Sequence, residues 1–417
     1  MILMFSVLTM NRKVLQINIT ANWGSHGRIA EEIGQLAIQN GWESYIAYGR
    51  WANPSKSHLV KIGNMWDESW HGLQSRLFDN HGLASKSVTR KLIHTIKDIN
   101  PDIIHLHNIH GYYLNYPLLF DFLANFGVPV VWTLHDCWPM TGHCAYPSVF
   151  ECDLWKTGCH DCPAKNEYPQ SLLRDNSKNN YRLKKKCFCD INSLHIVTVS
   201  KWLEREVRDS FLSEYDIRCI YNGVDIDVFS PQMSLDSLRI KHNITSSEKV
   251  VLGVASVWEK RKGLESFYKL REILSSRYRI ILIGLSDNQL KHVPKGIDVV
   301  RRTEKLNQLA EYYSLADVFV NTSIAETFGL TTVEALACGT PCVVYNTTAC
   351  PELLNEKNGG IVALGDVPAV AEAVKIICDN SDSIKMRDSC RERAVAYFNK
   401  MDRYQEYWNL YQSLLNK

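Results

Sequence analysis

Short apolar runs alternate along this chain with longer amphipathic stretches, and glycine or polar residues separate most of them. An apolar run at residues 14–19 predicts a first strand, and the spacing of apolar residues over 28–40 predicts a helix that stops at Gly41. Residues 43–48 are predicted to form a second strand. Strand, helix and strand in this order form the repeating unit of a parallel sheet, so the pattern predicts an α/β fold.

The same alternation continues and then starts a second time. The further strands that the pattern predicts are 102–107, 128–135 and 195–200 in the first series, and 249–255, 279–284, 316–321 and 342–345 in the second. Helices are predicted from Trp202, from Gly263 and over 307–315. Two such series imply two doubly wound domains that join near 230–234, and 417 residues are enough for both.

Composition narrows the class of protein. Hydrophobic residues at 45% and charged residues at 22% are typical of a soluble globular protein, and a net charge of +2 gives no general attraction to nucleic acid. The apolar opening, residues 1–8, is too short to span a bilayer and lacks the basic region of a signal peptide, and Met10 is an alternative start. Thirteen cysteines without an export signal predict free thiols in a cytoplasmic protein.

Two carboxylates flank a predicted strand-to-helix turn in the second domain. Glu326 follows the apolar run at 316–320, and Glu334 lies in the first turn of a helix predicted over 331–338. Free backbone N–H groups at such a turn favour a phosphate, and carboxylates accept hydrogen bonds from hydroxyls. A sugar nucleotide offers both groups. The alternative is a capping box between Thr331 and Glu334, which needs no ligand.

Several motifs together resemble one enzyme family. The motifs are Glu326-x7-Glu334 around Phe328-Gly329-Leu330, Tyr221-Asn222-Gly223-Val224-Asp225, Lys262-Gly263, and His135-Asp136. In their order and spacing along the chain, these motifs resemble those of the retaining sugar-nucleotide glycosyltransferases of family four. The likeness is greatest to enzymes of colanic-acid and capsular polysaccharide assembly around the segment 137–163.

The resemblance implies an architecture and an activity. It implies the GT-B fold, in which two Rossmann-like domains face each other across a cleft. Residues 1–230 would bind the acceptor and include a cysteine-rich loop at 137–163, 231–400 would bind the donor, and a helix at 401–417 would cross back to the first domain. The expected enzyme is a hexosyltransferase (EC 2.4) of bacterial surface polysaccharide biosynthesis. It would move a sugar from a UDP- or GDP-sugar to an undecaprenyl-diphosphate-linked glycan and would need no metal or other cofactor for catalysis.

The resemblance also assigns roles to residues. Glu326 and His135 would contact the donor sugar, Lys262 the diphosphate and Glu334 the ribose. The remaining donor-binding positions would be Gly24, Arg261, Phe328, Gly329 and Leu330. Val257 stands where the family carries an arginine, so Arg261 would have to supply that charge.

Two further signals have alternative explanations. Cys144, Cys152, Cys159 and Cys162 form either a structural zinc site or four free thiols in a long loop. The basic run 182–186 is either a solvated helix face or a contact with anionic lipid on the inner membrane.

Two other functions remain open on the same fold. One is a sugar-nucleotide epimerase, which would consume donor without an added acceptor. The other is a catalytically inactive binding protein, against which Glu326, Glu334 and Lys262 argue.

Overall fold

The computed structural model describes residues 11–416, and these residues form two compact units. Unit 1 comprises residues 11–199, 204–220 and 404–416, and unit 2 comprises 200–203 and 221–403. The apolar opening and the alternative start at Met10 lie outside the described residues. Within the described part, no helix has both the length and the apolar character needed to cross a bilayer.

Unit 1 is built on a seven-stranded parallel sheet in the order β3-β2-β1-β4-β5-β6-β7. Its strands are β1 (Lys13–Asn18), β2 (Glu43–Tyr48), β3 (His58–Lys61), β4 (Ile103–Leu106), β5 (Val130–Leu134), β6 (Leu194–Thr198) and β7 (Asp216–Cys219). The helices before its last strand are α1 (Gly24–Gln39), α2 (Met65–Phe78), α3 (Lys86–Ile99), α4 (Tyr116–Phe126), α5 (Ser177–Phe188) and α6 (Lys201–Arg208).

Unit 2 repeats the plan with six parallel strands in the order β10-β9-β8-β11-β12-β13. Its strands are β8 (Lys249–Val254), β9 (Tyr278–Ile283), β10 (Ile297–Val300), β11 (Val318–Asn321), β12 (Cys342–Tyr345) and β13 (Gly359–Val362). Its helices are α7 (Asp236–Lys241), α8 (Leu264–Ile273), α9 (Asp287–Leu290), α10 (Leu306–Leu315), α11 (Leu330–Ala337), α12 (Val367–Cys378) and α13 (Ser383–Phe398). The two sheets confirm the prediction of two doubly wound α/β folds.

The strands that the sequence pattern missed are the edges of the two sheets. They are β3, β7, β10 and β13, and each has exposed or half-buried positions. A central parallel strand is covered on both faces and reads as an unbroken apolar run. An edge strand has only one neighbour and a partly solvated face, so its sequence carries no such run.

The last helix, α14 (Lys400–Leu415), belongs to unit 1 from Tyr404 onward. Its aromatic side chains, Tyr404, Tyr407 and Tyr411, are buried with residues of β1, β4, β5 and α1. The hydroxyl of Tyr411 lies 2.6 Å from His105 Nδ1, which ties the helix to β4. Burial of this apolar face against the sheet fixes the helix on unit 1.

Two predicted helix starts were wrong by a few residues. Helix α1 begins at Gly24 rather than at Arg28, because Gly24 adopts a φ of +68° and turns the chain straight into the helix. Helix α11 begins at Leu330, after Gly329 with a φ of +102°, and not at Thr331.

Candidate active site

The strand order of unit 2 reverses between β8 and β11. The chain adds β9 and β10 on one side of β8, and β12 and β13 on the far side of β11. Ligands of open α/β sheets bind beyond the carboxyl ends of the strands at this switch point. The loop after β8 carries Arg261 and Lys262, and the loop after β11 carries Glu326. The topology therefore brings together the charged groups that the sequence predicted.

Glu326 is a buried carboxylate with three polar partners. Only 7% of the residue is exposed. Its Oε1 accepts hydrogen bonds from Lys262 Nζ and, at 2.9 Å, from Ser323 Oγ, while Arg261 Nη1 lies 3.7 Å from Oε2. Burial alone would raise the pKa of Glu326, but Lys262 and then Arg261 outweigh it and hold the pKa below its usual value. Glu326 is therefore ionised at neutral pH and is a weak proton acceptor.

The position of Lys262 depends on the glycine that follows it. Gly263 has a φ of +71°, and a Cβ there would lie 2.1 Å from the carbonyl oxygen of Thr322. The Thr322 hydroxyl in turn donates to the carbonyl of Lys262 at 3.2 Å and of Gly263 at 2.9 Å. A side chain at position 263 would push the two loops apart, so the close approach fixes the ammonium beside Glu326.

Arg261 is anchored to the loop that follows β11. Its guanidinium donates to the carbonyl of Ala325 at 3.2 Å, and its own carbonyl accepts from the N–H of Ile324 at 2.8 Å. Val257, where the family has an arginine, is exposed. The geometry thus places the second cation of the site at Arg261, four residues later in the chain.

The start of α11 presents backbone donors at the same edge of the sheet. Phe328 is buried, Gly329 is the N-cap, and Leu330 is the first helical residue. The first N–H groups of a helix have no partner within it, so this turn favours an anion. Because the N-cap is Gly329, Thr331 lies inside the helix and the capping-box alternative is wrong.

Glu334 is half-buried on the first turns of α11. Its Oε2 accepts a hydrogen bond from the hydroxyl of Tyr313 at 2.8 Å. Burial, reinforced by the charge of Glu334, holds the pKa of Tyr313 well above its usual value, so the phenol remains a donor. Tyr313 thereby holds the carboxylate in place.

Unit 1 has a second switch point, between β1 and β4, and the remaining predicted residues lie beside it. Gly24 begins the helix after β1, and His135 follows β5. His135 Nε2 lies 3.2 Å from His107 Nδ1, and the other nitrogen of His107 lies 2.9 Å from Gln16 Oε1. Burial, helped by His107 and His26, keeps the pKa of His135 well below its usual value, so the ring is neutral near pH 7.

His105 lies on β4 and His107 directly follows it, and the contacts of both side chains are internal. His105 is fully buried and lies 2.8 Å from the Thr133 hydroxyl and 2.6 Å from that of Tyr411. Each nitrogen therefore has a protein partner, which is typical of a structural histidine.

Sequence reasoning missed the residues that support the site. Ser323 donates to Glu326, Thr348 accepts from the N–H of Glu326 at 2.9 Å, and Tyr313 donates to Glu334. Thr348 lies after β12 and Tyr313 on α10, so no local motif links them to the carboxylates. Only Ser323 lies near its partner in the chain, three residues before Glu326.

The motif that begins at Tyr221 supports the fold of unit 2. A Cβ on Gly223 would lie 2.2 Å from the Cα of Lys400, and Lys400 Nζ forms an ion pair of 2.9 Å with Asp225. Asp225 Oδ1 also accepts from the N–H groups of Asp227 and Val228 at 3.1 Å. The motif fixes the approach of this loop to Lys400, the first residue of α14.

The basic run at 182–186 is not a uniformly solvated face. Arg182, Lys185 and Lys186 are exposed on α5, but Lys184 is buried. Its Nζ donates to the carbonyls of Trp138 at 2.7 Å and Thr141 at 3.0 Å. The central lysine therefore holds the cysteine-rich loop, which corrects the interpretation of the run as a single surface patch.

Comparison with known sequences agrees with this geometry. Residues 248–380 match the family Glycosyl transferases group 1, and residues 27–228 match Glycosyltransferase Family 4. The chain is a glycosyltransferase, and its first unit matches family four. The two matches cover most of unit 2 and of unit 1, and the switch-point residues Lys262, Glu326 and Glu334 all lie within the first.

Two relatives make the likeness more specific. The chain is 25% identical to WcaC, a colanic acid biosynthesis glycosyl transferase of Escherichia coli (strain K12), over 96% of this chain and 100% of the relative. It is also 25% identical to the UDP-Gal:alpha-D-GlcNAc-diphosphoundecaprenol alpha-1,3-galactosyltransferase of Escherichia coli, over 49% of this chain and 56% of that enzyme. Both relatives are named as glycosyltransferases, and the name of WcaC refers to colanic acid biosynthesis.

Solved structures share the fold. Sucrose-phosphate synthase from Thermosynechococcus elongatus superposes with a TM-score of 0.73 at 18% identity, covering 97% of this chain and 100% of that one. Anabaena HepE in complex with UDP and glucose gives a TM-score of 0.67 at 15% identity, covering 97% and 100%. These likenesses confirm the GT-B class of fold.

Replacing Lys262 by methionine tests the buried ion pair. Glu326 has a lowered pKa in the folded protein, so the pair stabilises the fold above the ordinary value of 4.5, and this contribution disappears as the pH falls through the folded pKa. Lys262→Met should lower the free energy of unfolding by about 3 kcal/mol at pH 7. The difference from the wild type should shrink at acidic pH, as the pH falls through the lowered pKa of Glu326 and the carboxylate takes up a proton.

Denaturant unfolding at neutral and acidic pH measures both values. The matched control is Lys260→Met, because Lys260 is exposed two residues earlier and should show little change at either pH. An equal loss of stability at both pH values for Lys262→Met would contradict the assignment to the ion pair.

Proposed function

We propose that this enzyme is a retaining glycosyltransferase that moves a sugar from a UDP- or GDP-sugar to a lipid-linked glycan during surface polysaccharide assembly. The observation that carries the proposal is the cluster at the switch point of unit 2. There, two cations, a buried carboxylate and a helix start share one edge of the sheet. HepE, which shares the fold, binds UDP and glucose, which supports a uridine nucleotide as donor.

The charges of this cluster suit a nucleoside diphosphate. Negative charge grows on the diphosphate as the bond to the sugar breaks, so fixed cations and N–H donors accelerate that step. Lys262 and Arg261 supply the cations, and the start of α11 at Gly329 supplies the N–H groups. Glu326 holds both cations in place before the donor binds and then accepts hydrogen bonds from the sugar hydroxyls.

Retention of configuration requires attack on the face from which the diphosphate leaves. The bond between the anomeric carbon and the phosphate oxygen breaks, and the acceptor oxygen bonds to the same carbon. The acceptor proton passes to the departing phosphate oxygen, so no protein base is needed. The lowered pKa of Glu326 agrees with this route, because an ion-paired carboxylate accepts a proton poorly.

We infer from the proposed lipid-linked acceptor that the enzyme works at the cytoplasmic face of the inner membrane. The galactosyltransferase relative acts on a diphosphoundecaprenol substrate, as its name states. On unit 1, α2 exposes Met65, Trp66 and Trp70, which are 80%, 84% and 60% accessible. Exposed tryptophans are enriched at membrane interfaces.

The neighbouring helix adds positive charge to this surface. Helix α3 begins close to α2, with His71 Nδ1 of α2 2.8 Å from the hydroxyl of Ser85, the residue before α3. Helix α3 exposes four basic residues: Lys86, Arg90, Lys91 and Lys97. Apolar anchors beside basic residues fit a bilayer that contains anionic lipid.

Glu334→Gln tests the donor site through binding. If Glu334 holds the ribose, the variant should bind the nucleotide at least tenfold more weakly, since a charge-assisted hydrogen bond is replaced by a neutral one. Stability should change little, because glutamine still accepts from Tyr313. A panel of nucleotide sugars screened by thermal stabilisation first identifies the donor, and calorimetric titration then measures the affinity.

Glu356→Gln is the control for this experiment, since Glu356 is an exposed glutamate of unit 2 away from the cluster. Unchanged nucleotide affinity in Glu334→Gln would remove the ribose assignment. Binding of a nucleotide sugar without transfer to any acceptor would argue for the binding-protein alternative, and donor consumption without acceptor would argue for an epimerase.

Lys262→Ala tests the chemical step. A cation aimed at the leaving diphosphate acts mainly in the transition state, so kcat should fall by about a hundredfold or more while donor affinity changes less. Arg261→Ala should be less damaging. Steady-state kinetics with the identified donor measures both. A kcat near that of the wild type for Lys262→Ala would mean that other groups hold the diphosphate.

The double variant Trp66→Ser/Trp70→Ser tests the membrane surface. Wild-type protein should sediment with vesicles that contain phosphatidylglycerol and much less with phosphatidylcholine vesicles, and added salt should weaken binding. The double variant should bind several-fold less. Met233→Ser, which removes an exposed apolar side chain from unit 2, is the control. Equal sedimentation of the double variant and the wild type would contradict the assignment.

A further inference from the structure

The segment between β5 and α5 has no strand and no α-helix. Its regular structure consists of three single turns of 3-10 helix, Trp138–Met140, Pro147–Phe150 and Leu154–Lys156. A loop of this length inside a compact domain needs a function or an internal constraint. Trp155 is almost fully buried within it, so the segment has a defined packing that something must hold.

Four cysteines of the segment line one small cavity. They are Cys144, Cys152, Cys159 and Cys162, and the wall also includes His143 and Trp155. The interior has room for about one water-sized particle. The thiols of Cys144 and Cys162 hydrogen-bond to each other, and Cys159 Sγ accepts from the N–H of Gly142 at 3.1 Å. Four cysteines spread over 19 positions of the chain thus line the same small cavity.

Nitrogen donors surround these thiols. The ring of His143 is fully buried, its Nδ1 lies 2.6 Å from Asp79 Oδ1, and its Nε2 has no hydrogen-bond partner among the described residues. Lys184 Nζ is buried on the carbonyls of Trp138 and Thr141, beside the same loop. A buried polar nitrogen without a partner is unfavourable, so Nε2 of His143 calls for a partner within this loop.

We propose that Cys144, Cys152, Cys159 and Cys162 bind one Zn²⁺ in a closed tetrahedral site that holds the cysteine-rich loop at 137–163. Four thiolates satisfy the usual coordination of structural zinc, and each thiol releases its proton to solvent on binding. A zinc ion with four thiolates carries a net charge of −2. Nε2–H of His143 and Nζ of Lys184 then donate toward sulfur or offset that charge.

Metal binding needs a local rearrangement of the thiols. As the side chains stand, no group of three or more His, Cys, Asp or Glu residues within 11–416 is arranged to hold a metal ion. The four cysteines already share a cavity, so rotation about their Cα–Cβ bonds replaces the thiol hydrogen bonds by bonds to zinc. A closed set of four ligands leaves no position for substrate, so the site is structural.

The test begins with the untagged wild-type protein, purified without chelator. Elemental analysis should give about one zinc per chain. Removal of zinc with a strong chelator should make four further thiols reactive and lower the melting temperature. Cobalt in place of zinc should give the intense visible absorption of a tetrahedral thiolate site. These measurements need no variant, so they do not depend on the folding of a mutant.

Variants then locate the ligands. Cys159→Ser and Cys162→Ser should each lose most of the bound zinc, while Cys189→Ser, at an exposed cysteine just after α5, should keep it. Absence of zinc, with the four cysteines found as free thiols or as disulfides, would overturn the proposal. Full zinc content in both loop variants would also overturn it, because the metal would then lie elsewhere.

Discussion

The buried pair of Lys262 and Glu326 is the interaction on which the chemistry of unit 2 depends. A carboxylate in this position is stable only because two cations and a serine hydroxyl surround it. The same cations are the groups that a diphosphate needs. On the proposed function, Glu326 keeps the two cations ordered before the donor binds, and the diphosphate then takes over part of that pairing.

The backbone makes this pairing possible. Gly263 lies so close to the carbonyl of Thr322 that no side chain fits between them. This contact joins the loop after β8 to the loop after β11, which are adjacent strands at the point where the strand order reverses. Parallel strands end at the same edge of a sheet, so the topology supplies the crevice and a single glycine sets its width.

Buried polar groups organise unit 1 in a different way. Histidines after β1, β4 and β5 contact one another and a glutamine, and burial keeps His135 neutral. Helix α14 closes this arrangement because Tyr411 lies within hydrogen-bond distance of His105. The aromatic residues of α14 therefore pack the core and also satisfy a polar group of the central sheet.

The sequence by itself determined the two series of strands and helices, because central parallel strands are unbroken apolar runs. It also indicated Lys262, Glu326 and Glu334 as candidate site residues, since a local motif surrounds each of them. The edge strands, the anchoring of Glu334 by Tyr313 and the burial of Lys184 were decided only by the tertiary structure. Each of these depends on residues far apart in the chain, and burial or a hydrogen bond between distant residues leaves no periodic signal in the sequence.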